Sequence, residues 1–493
     1  MWAPRAARVE VVVGVDSRAS RLEEIEEGVF GGVAAGLPGE DYIFVLDGGK
    51  ELPDPCSRCQ PDGVRGVSRI VDVATASIAS GPPLDVEELV VYELHVGTFS
   101  KRGTFDGVVP YLAELGELGV TAIELMPIAT FPGTRGWGYD GLYVYAPHPA
   151  YGGPDGFARL VDACHRAGLA VILDVVYNHL GPGSEALTAF GPYETDRYTT
   201  PWGAAIDYSQ PAVREWALGN AEMWARDFKV DGLRLDAVFA IFDEESPVHL
   251  LRELRTRLPE ALLIAEEEVG TLRPIADWGF DAQWADEFHH ELHVALTRER
   301  HGYYAGYGTL SGFADQYERE HAARLVFCSQ NHDQVGNRAL GDRPSLDELP
   351  VRAACLLFAP AIPHLFMGEE YGERAPFRFF SDHLDPALAE ATRAGRRREF
   401  PQLAGEDVPD PQALATFERS KLSRVQQPGL RALYRDLLGL RRRLPAAVKT
   451  EVASGNLVVR RGDFQLEADL DARVATIAES GRPVAAARSS PRP

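Results

Sequence analysis

Between Val230 and Ala240 the chain reads VDGLRLDAVFA, with Arg234 and Asp236 two residues apart. In a strand such residues share a face, so a guanidinium and a carboxylate point the same way. The cation lowers the carboxylate pKa and keeps it ionised, which is the state a nucleophile needs. Taken alone, the stretch reads better as a salt bridge on a strand. Its company decides for chemistry, because polar groups recur where apolar runs end. Asp174, Asn178 and His179 stand in AVILDVVYNH, Glu266 in LLIAEEE, His332 and Asp333 in RLVFCSQNHD, and Glu369 and Glu370 in IPHLFMGEE.

The elements that must position these groups are eight strand-like runs: 90–96, 121–127, 170–179, 231–237, 262–268, 281–286, 324–333 and 362–370. Amphipathic stretches such as PDGFARLVDACHRAG and PAVREWALGNAEMWARDFK lie between them. Near-continuous apolar strands alternating with helices imply a parallel sheet, and eight of them imply a closed (β/α)8 TIM barrel in the α/β class. Such a barrel carries its active site at the C-terminal ends of the strands, where the polar groups above collect. The barrel is expected over residues 80–442, entered through the linker-like SGPPLDVEE. Residues 1–79 read as an all-β unit, with VEVVVGV and YIFVL broken by glycine-rich turns. Residues 443–493 offer NLVVRR, DFQLEADLD and RVATIA as short strands, then SSPRP as a disordered tail.

A chain of 493 residues is too long for one core. A net charge of −23 argues against binding to nucleic acid, which needs clustered Lys and Arg, and leaves a neutral sugar open as ligand. Five cysteines, sparse and odd in number, fit a reducing compartment. No signal peptide is evident, and the longest apolar stretch, AACLLFAPAIPHLFM, is broken by two prolines and a histidine, so a cytoplasmic protein without a membrane span is expected.

DVVYNH, GLRLDAV, AEEEV and QNHDQVGNR together resemble the alpha-amylase superfamily of barrel glycosidases. VYELHVGTF, GWGYDGLYVYAP, TDRYTTPWGAAIDYS, FMGEEYGE and PFRFFSDH narrow the resemblance, over roughly residues 1–400, to the maltooligosyltrehalose trehalohydrolase family. The resemblance implies an N-terminal β-sandwich, immunoglobulin-like and carbohydrate-binding-module-like, before the barrel and a C-terminal β domain after it; in this sequence that last domain is short and looks abbreviated. It implies Asp236 as nucleophile, Glu266 as general acid/base and Asp333 as a third carboxylate gripping the sugar hydroxyls. Arg234 would orient Asp236, His179 and His332 would bond the sugar, Asp174 would support the site, and Tyr139 would carry the sugar ring. It further implies maltooligosyltrehalose as substrate, hydrolysed at the α-1,4 bond next to its trehalose end, and a maltooligosyltrehalose synthase as pathway partner. Neither cofactor nor metal is called for.

Retaining glycoside cleavage needs one ionised and one protonated carboxyl about 5–5.5 Å apart. Arg234 keeps Asp236 charged, while like charges on Asp236 and Asp333 would raise Glu266. Glu268 shares a strand face with Glu266, and only the motif favours Glu266. Apolar sugar faces suit aromatic rings, making Trp137, Tyr139, Trp202, Phe379 and Phe380 candidates. FFSDH, with His383, is expected near the trehalose side.

Other signals read as structure. GWGYDG satisfies the dinucleotide fingerprint but is followed by LYVYAPHPAYGG rather than a helix. Cys56 and Cys59 in CSRC lack a second pair for zinc and read as free surface thiols. HHELH (289–293) reads as a solvated helix face, and the basic ATRAGRRREF (391–400) as a solvated or carboxylate-paired one. Two rival functions remain: an α-glucan branching enzyme on the same scaffold, and a non-catalytic carbohydrate-binding barrel. Retention of all three acids speaks against the second.

Overall fold

A computed structural model describes the chain apart from residues 17, 73–77, 401–407 and 489–493, so the expected disordered tail SSPRP lies outside the described residues. Eight parallel strands close into a barrel: Val91–Leu94, Ala122–Leu125, Ala170–Val175, Gly232–Leu235, Leu262–Ala265, Ala282–Trp284, Leu325–Cys328 and Ile362–Phe366. The last pairs with the first, His364 opposite Val91 and Phe366 opposite Glu93. Each strand lies within its predicted run and ends before the run does. The ladder stops where the residues turn polar and leave the sheet to line the cleft.

The barrel interior has its own floor, in which Val91, Ala122, Ala170, Ile172, Leu262, Ile264, Ala282, Trp284, Val326 and Ile362 pack as a cluster separate from the larger helix-and-strand core. Inward positions alternate along each strand, so the files that begin at Val91, Ala122, Ile172 and Ile362 continue upward to Glu93, Glu124, Asp174 and His364, all buried. An apolar floor thus carries a polar layer.

Helices cover the outside. Gly153–Arg166 buries Phe157, Leu160, Val161 and Cys164 on one face, carries Pro154 and Asp155 in its first turn and His165 and Arg166 in its last. The helix Glu287–Thr297 corrects the reading of HHELH as a solvated face. His289, His290 and His293 are all buried, because the helix lies against the seventh strand and the helix Leu310–Tyr317. There His289 Nδ1 meets the Ser329 carbonyl at 2.9 Å, and His293 Nε2 meets Glu299 at 2.9 Å. The basic helix Pro386–Glu399 is carboxylate-paired: Arg393 meets Asp410 at 3.0 Å and Arg396 meets Glu399 at 2.8 Å.

N-terminal strands form a five-stranded antiparallel sheet built on Val9–Val13 and Asp41–Leu46, with a separate hairpin Glu23–Glu26/Val29–Gly31. It leans on the barrel through Phe44 against Phe190 and through the Trp216 indole, which donates to the Pro55 carbonyl at 3.2 Å. All five cysteines are free. Among the described residues no helix is long and apolar enough to cross a membrane.

The C-terminal unit is a five-stranded antiparallel meander, of which Asn456–Arg461, Phe464–Asp469 and Val474–Glu479 were expected. Lys449–Ala453 and Arg482–Arg488 are its edges, largely exposed, so they carry little apolar alternation to read. This sheet is fastened to the barrel by backbone capping. The buried Arg461 donates to the carbonyls of Phe358 and Ala359 at 3.0 Å each and of Pro445 at 2.7 Å. Arg441 donates to the Ala359 and Ala361 carbonyls at 2.5 Å each. Both guanidiniums therefore satisfy the end of the helix Leu349–Phe358, just before the eighth barrel strand, where unpaired carbonyls and the helix dipole favour a cation. Arg461→Ala should lower stability by about 2–3 kcal/mol, from buried carbonyls left without a donor. Urea unfolding measures this, with Arg461→Lys recovering part of the loss; an unchanged midpoint would remove the capping role.

Candidate active site

The fourth, fifth and sixth strands send the inward files Gly232–Arg234–Asp236, Leu262–Ile264–Glu266 and Ala282–Trp284–Asp286 to the open end of the barrel. At their centre lies Arg234, fully buried. Its Nη1 donates to both Asp174 oxygens at 2.9 and 2.8 Å and to Asp236 Oδ1 at 2.9 Å, and its Nη2 donates to Glu266 Oε2 at 2.6 Å. The guanidinium lies 4.2 Å over the Trp284 ring, whose face favours a cation. Arg234 holds Asp236, as expected, and the same guanidinium also holds Asp174 and Glu266.

Asp236 Oδ2 accepts from Asn178 Nδ2 at 2.8 Å, and the same amide donates to the Asp236 carbonyl at 2.9 Å. Asn178 Oδ1 meets His179 Nδ1 at 2.5 Å. The next residue, Ala237, is left-handed at φ 41°, a conformation that strains any side chain. This turn aims the Ala237 N–H at Glu266 Oε2, 3.1 Å away, and lets Val238 N–H reach the Glu266 carbonyl at 2.9 Å. With Oε2 accepting from both Arg234 and Ala237, Oε1 is the Glu266 oxygen free to carry a proton.

Across the cleft, His332 is clamped by Glu93, whose oxygens meet the His332 N–H at 2.9 Å and Nδ1 at 2.5 Å. His332 Nε2 faces Tyr139 Oη at 2.8 Å and Asp333 at 3.4 Å. The Tyr139 hydroxyl donates to Asp174 Oδ2 at 2.6 Å, closing a circuit back to Arg234. Tyr139 is delivered by a tight loop in which Gly138 is left-handed, at φ 104°, and a Cβ there would lie 2.1 Å from the Pro127 carbonyl. Asn337 donates to Asp333 at 2.9 Å. His179 stacks on Trp202, ring centroids 5.1 Å apart, and Trp202 is half exposed.

Burial pushes the Glu266 carboxyl up to about 8, with Asp236, Asp333 and Asp286 adding to the rise and Arg234 opposing it. The expected repulsion therefore operates, but desolvation is the larger cause. Burial pushes Asp174 to about 7 against the pull of Arg234. Burial would strip the His332 proton, yet Asp333 and Glu93 hold it and lift the imidazole to about 10. Burial lowers His179, which stays neutral.

Asp174, Asn178, His179, Arg234, Asp236, Glu266, His332 and Asp333 thus converge with Tyr139 on one cleft. Glu268 is exposed beyond it. Two aromatic candidates are corrected. Phe380 is fully buried between His95, Phe377 and Phe417, so it packs the core and offers no face to a sugar. Trp137 stacks on Phe377 and donates to the Arg378 carbonyl at 2.9 Å, forming the wall behind His332. His383 lies beside Asp140 and lines a cavity of about 520 Å³ between the N-terminal sheet and the barrel rim.

Glu93, Trp284 and Asp286 escaped the sequence reading as site residues, although the inward alternation of the first and sixth strands could have found them. Of the described residues, Glu93, Glu124 and His364 are a group with ligand atoms near enough for a metal ion, all within 4.8 Å. Glu93 is already engaged by His332, and the set lies buried one layer below the cleft.

The family model for the alpha amylase catalytic domain matches residues 65–198. The chain is 44% identical over 455 residues to a malto-oligosyltrehalose trehalohydrolase of Deinococcus radiodurans, covering 83% of this chain and 75% of that one. It is 40% identical over 496 residues to a malto-oligosyltrehalose trehalohydrolase of Saccharolobus solfataricus, covering 92% and 87%. A solved structure from Salmonella typhimurium superposes with a TM-score of 0.86 at 36% identity, over 96% of this chain and 90% of that one. With its closed barrel and its polar cleft, the chain belongs to the malto-oligosyltrehalose trehalohydrolase family of alpha-amylase-type glycoside hydrolases.

Proposed function

We propose that the chain hydrolyses the α-1,4-glucosidic bond next to the terminal trehalose of maltooligosyltrehalose, releasing trehalose and a shorter maltooligosaccharide with retention at the anomeric carbon. The observation that carries this reading is the single guanidinium shared by Asp236 and Glu266. The glucose whose bond breaks stacks on Tyr139 and is held by His179, His332 and Asp333. Glu266 gives the proton on Oε1 to the leaving oxygen as Asp236 attacks the anomeric carbon, so trehalose departs and a glycosyl-enzyme forms. Glu266, now ionised, takes a proton from water, whose oxygen displaces Asp236. Asp236 is anchored through both oxygens, and the protonated His332 opposes the charge of Asp333.

A branching enzyme would pass the same glycosyl unit to a sugar hydroxyl instead of water. The polar cleft suits either acceptor, and the trehalohydrolase relatives favour water. The reading implies a maltooligosyltrehalose synthase as the source of substrate. A reducing cytoplasm is the compartment that five unpaired thiols fit.

Asp236→Asn should cut trehalose release from maltotriosyltrehalose by about four orders of magnitude or more while leaving the melting temperature nearly unchanged. Chromatography of the products, with amylose as the parallel substrate, measures it; native turnover would end the assignment, and new branch points in amylose would favour the transferase. Proton NMR should see the α-anomer of the released maltooligosaccharide first, and an initial β-anomer would exclude two displacements. Because the proton donor is the acid form of a carboxyl raised to about 8 by burial, kcat/KM should hold through neutrality and decline as pH rises through that value. An alkaline limb near pH 5 would contradict a desolvated Glu266.

A further inference from the structure

Asp286 continues the inward file of Ala282 and Trp284 from the sixth strand into the cleft, and it is the residue before the helix Glu287–Thr297. An aspartate in that place ordinarily turns back to accept from the first N–H groups of its helix. Asp286 does not: its backbone is helical, at φ −65° and ψ −18°, and its side chain makes no capping bond. Among the described residues no donor within hydrogen-bond distance engages its carboxyl. It is half-buried and open to the cleft. Its charged surroundings come from every neighbouring element: Glu266 on the fifth strand, Asp333 and His332 after the seventh, Glu287 on its own helix, Arg234 on the fourth strand, and Tyr307 on the loop beyond.

The order of the barrel strands says which half of a substrate this carboxyl meets. Tyr139 and His179, on the loops after the second and third strands, hold the glucose that becomes attached to Asp236. Glu266 on the fifth strand protonates the departing oxygen, so the leaving sugar extends past Glu266, over the fifth and sixth strands. Asp286 is a free acceptor on that side, projecting from the inward file of the sixth strand.

We propose that Asp286 is a substrate-binding, specificity-determining carboxyl that accepts hydroxyl hydrogen bonds from the leaving disaccharide, an α,α-linked diglucoside. The inference rests on the reading of Asp236 and Glu266 given above. A carboxylate that accepts two sugar hydroxyls recovers what burial among like charges costs it. A leaving group that places no hydroxyls there leaves the acceptor empty and is disfavoured, which is how a site built for hydroxyls selects its ligand.

The test compares two substrates that share the glycosyl half. Maltotriosyltrehalose fills the leaving side, whereas α-maltotriosyl fluoride departs as fluoride and leaves it empty. Asp286→Ala and Asp286→Asn should lower kcat/KM on maltotriosyltrehalose by about 10- to 100-fold more than on the fluoride, mainly through KM, because whatever Asp286 contributes to the Glu266 shift is common to both substrates. Parallel losses on both substrates, or no loss on the first, overturn the proposal. If the alanine variant melts early, the asparagine variant, which keeps the side-chain shape, carries the same expectation. Asp236→Asn is run beside them: loss of both activities upholds the nucleophile, while fluoride hydrolysis at the parent rate overturns the reading on which Asp286 depends.

Discussion

One buried guanidinium organises this molecule. Arg234 sits at the centre of the barrel with no exposed surface and lies against three carboxylates from three different strands. A cation in that position could not exist without the acceptors these three carboxyls give it. The apolar floor beneath excludes water, the Trp284 ring supports the cation from one side, and the Ala237 turn brings a backbone N–H to the carboxyl opposite. Much of the polar layer can be read as the set of groups needed to make one buried positive charge tolerable.

The two carboxyls with opposite tasks draw their difference from this arrangement. Asp236 has both oxygens anchored, one by Arg234 and one by Asn178. Glu266 shares the same cation but concentrates its bonds on one oxygen. Desolvation and three neighbouring aspartates then favour a proton on the other. The separation between acid and nucleophile is therefore a matter of which oxygens are left free as much as of distance. His332 shows the opposite balance, since two carboxylates outweigh its burial and hold it as a cation.

Much of this was legible in the chain. Alternation exposed the pairing of Arg234 with Asp236, and apolar runs ending in polar residues located all eight barrel strands, including the three-residue Ala282–Trp284. What escaped depended on neighbours distant in sequence. Glu93 reads as one residue of an apolar strand until His332, 239 positions later, is found against it. Phe380 has the composition of a sugar platform, and only the packing of Phe377 and Phe417 around it makes it core. The histidines of HHELH have polar chemistry but occupy a helix enclosed on its faces, a condition that no local pattern records. Burial as the main cause of the Glu266 shift likewise belongs to the closed barrel.

The arginine caps from the C-terminal sheet bear on how the molecule can come apart. Arg441 and Arg461 hold the end of the helix that feeds the eighth strand, and that strand is the seam at which the barrel closes on the first. Detaching the distal sheet would thus loosen the ring itself, because the caps and the seam share one helix end. Trimming this terminus would have to be matched by a new cap for the same helix.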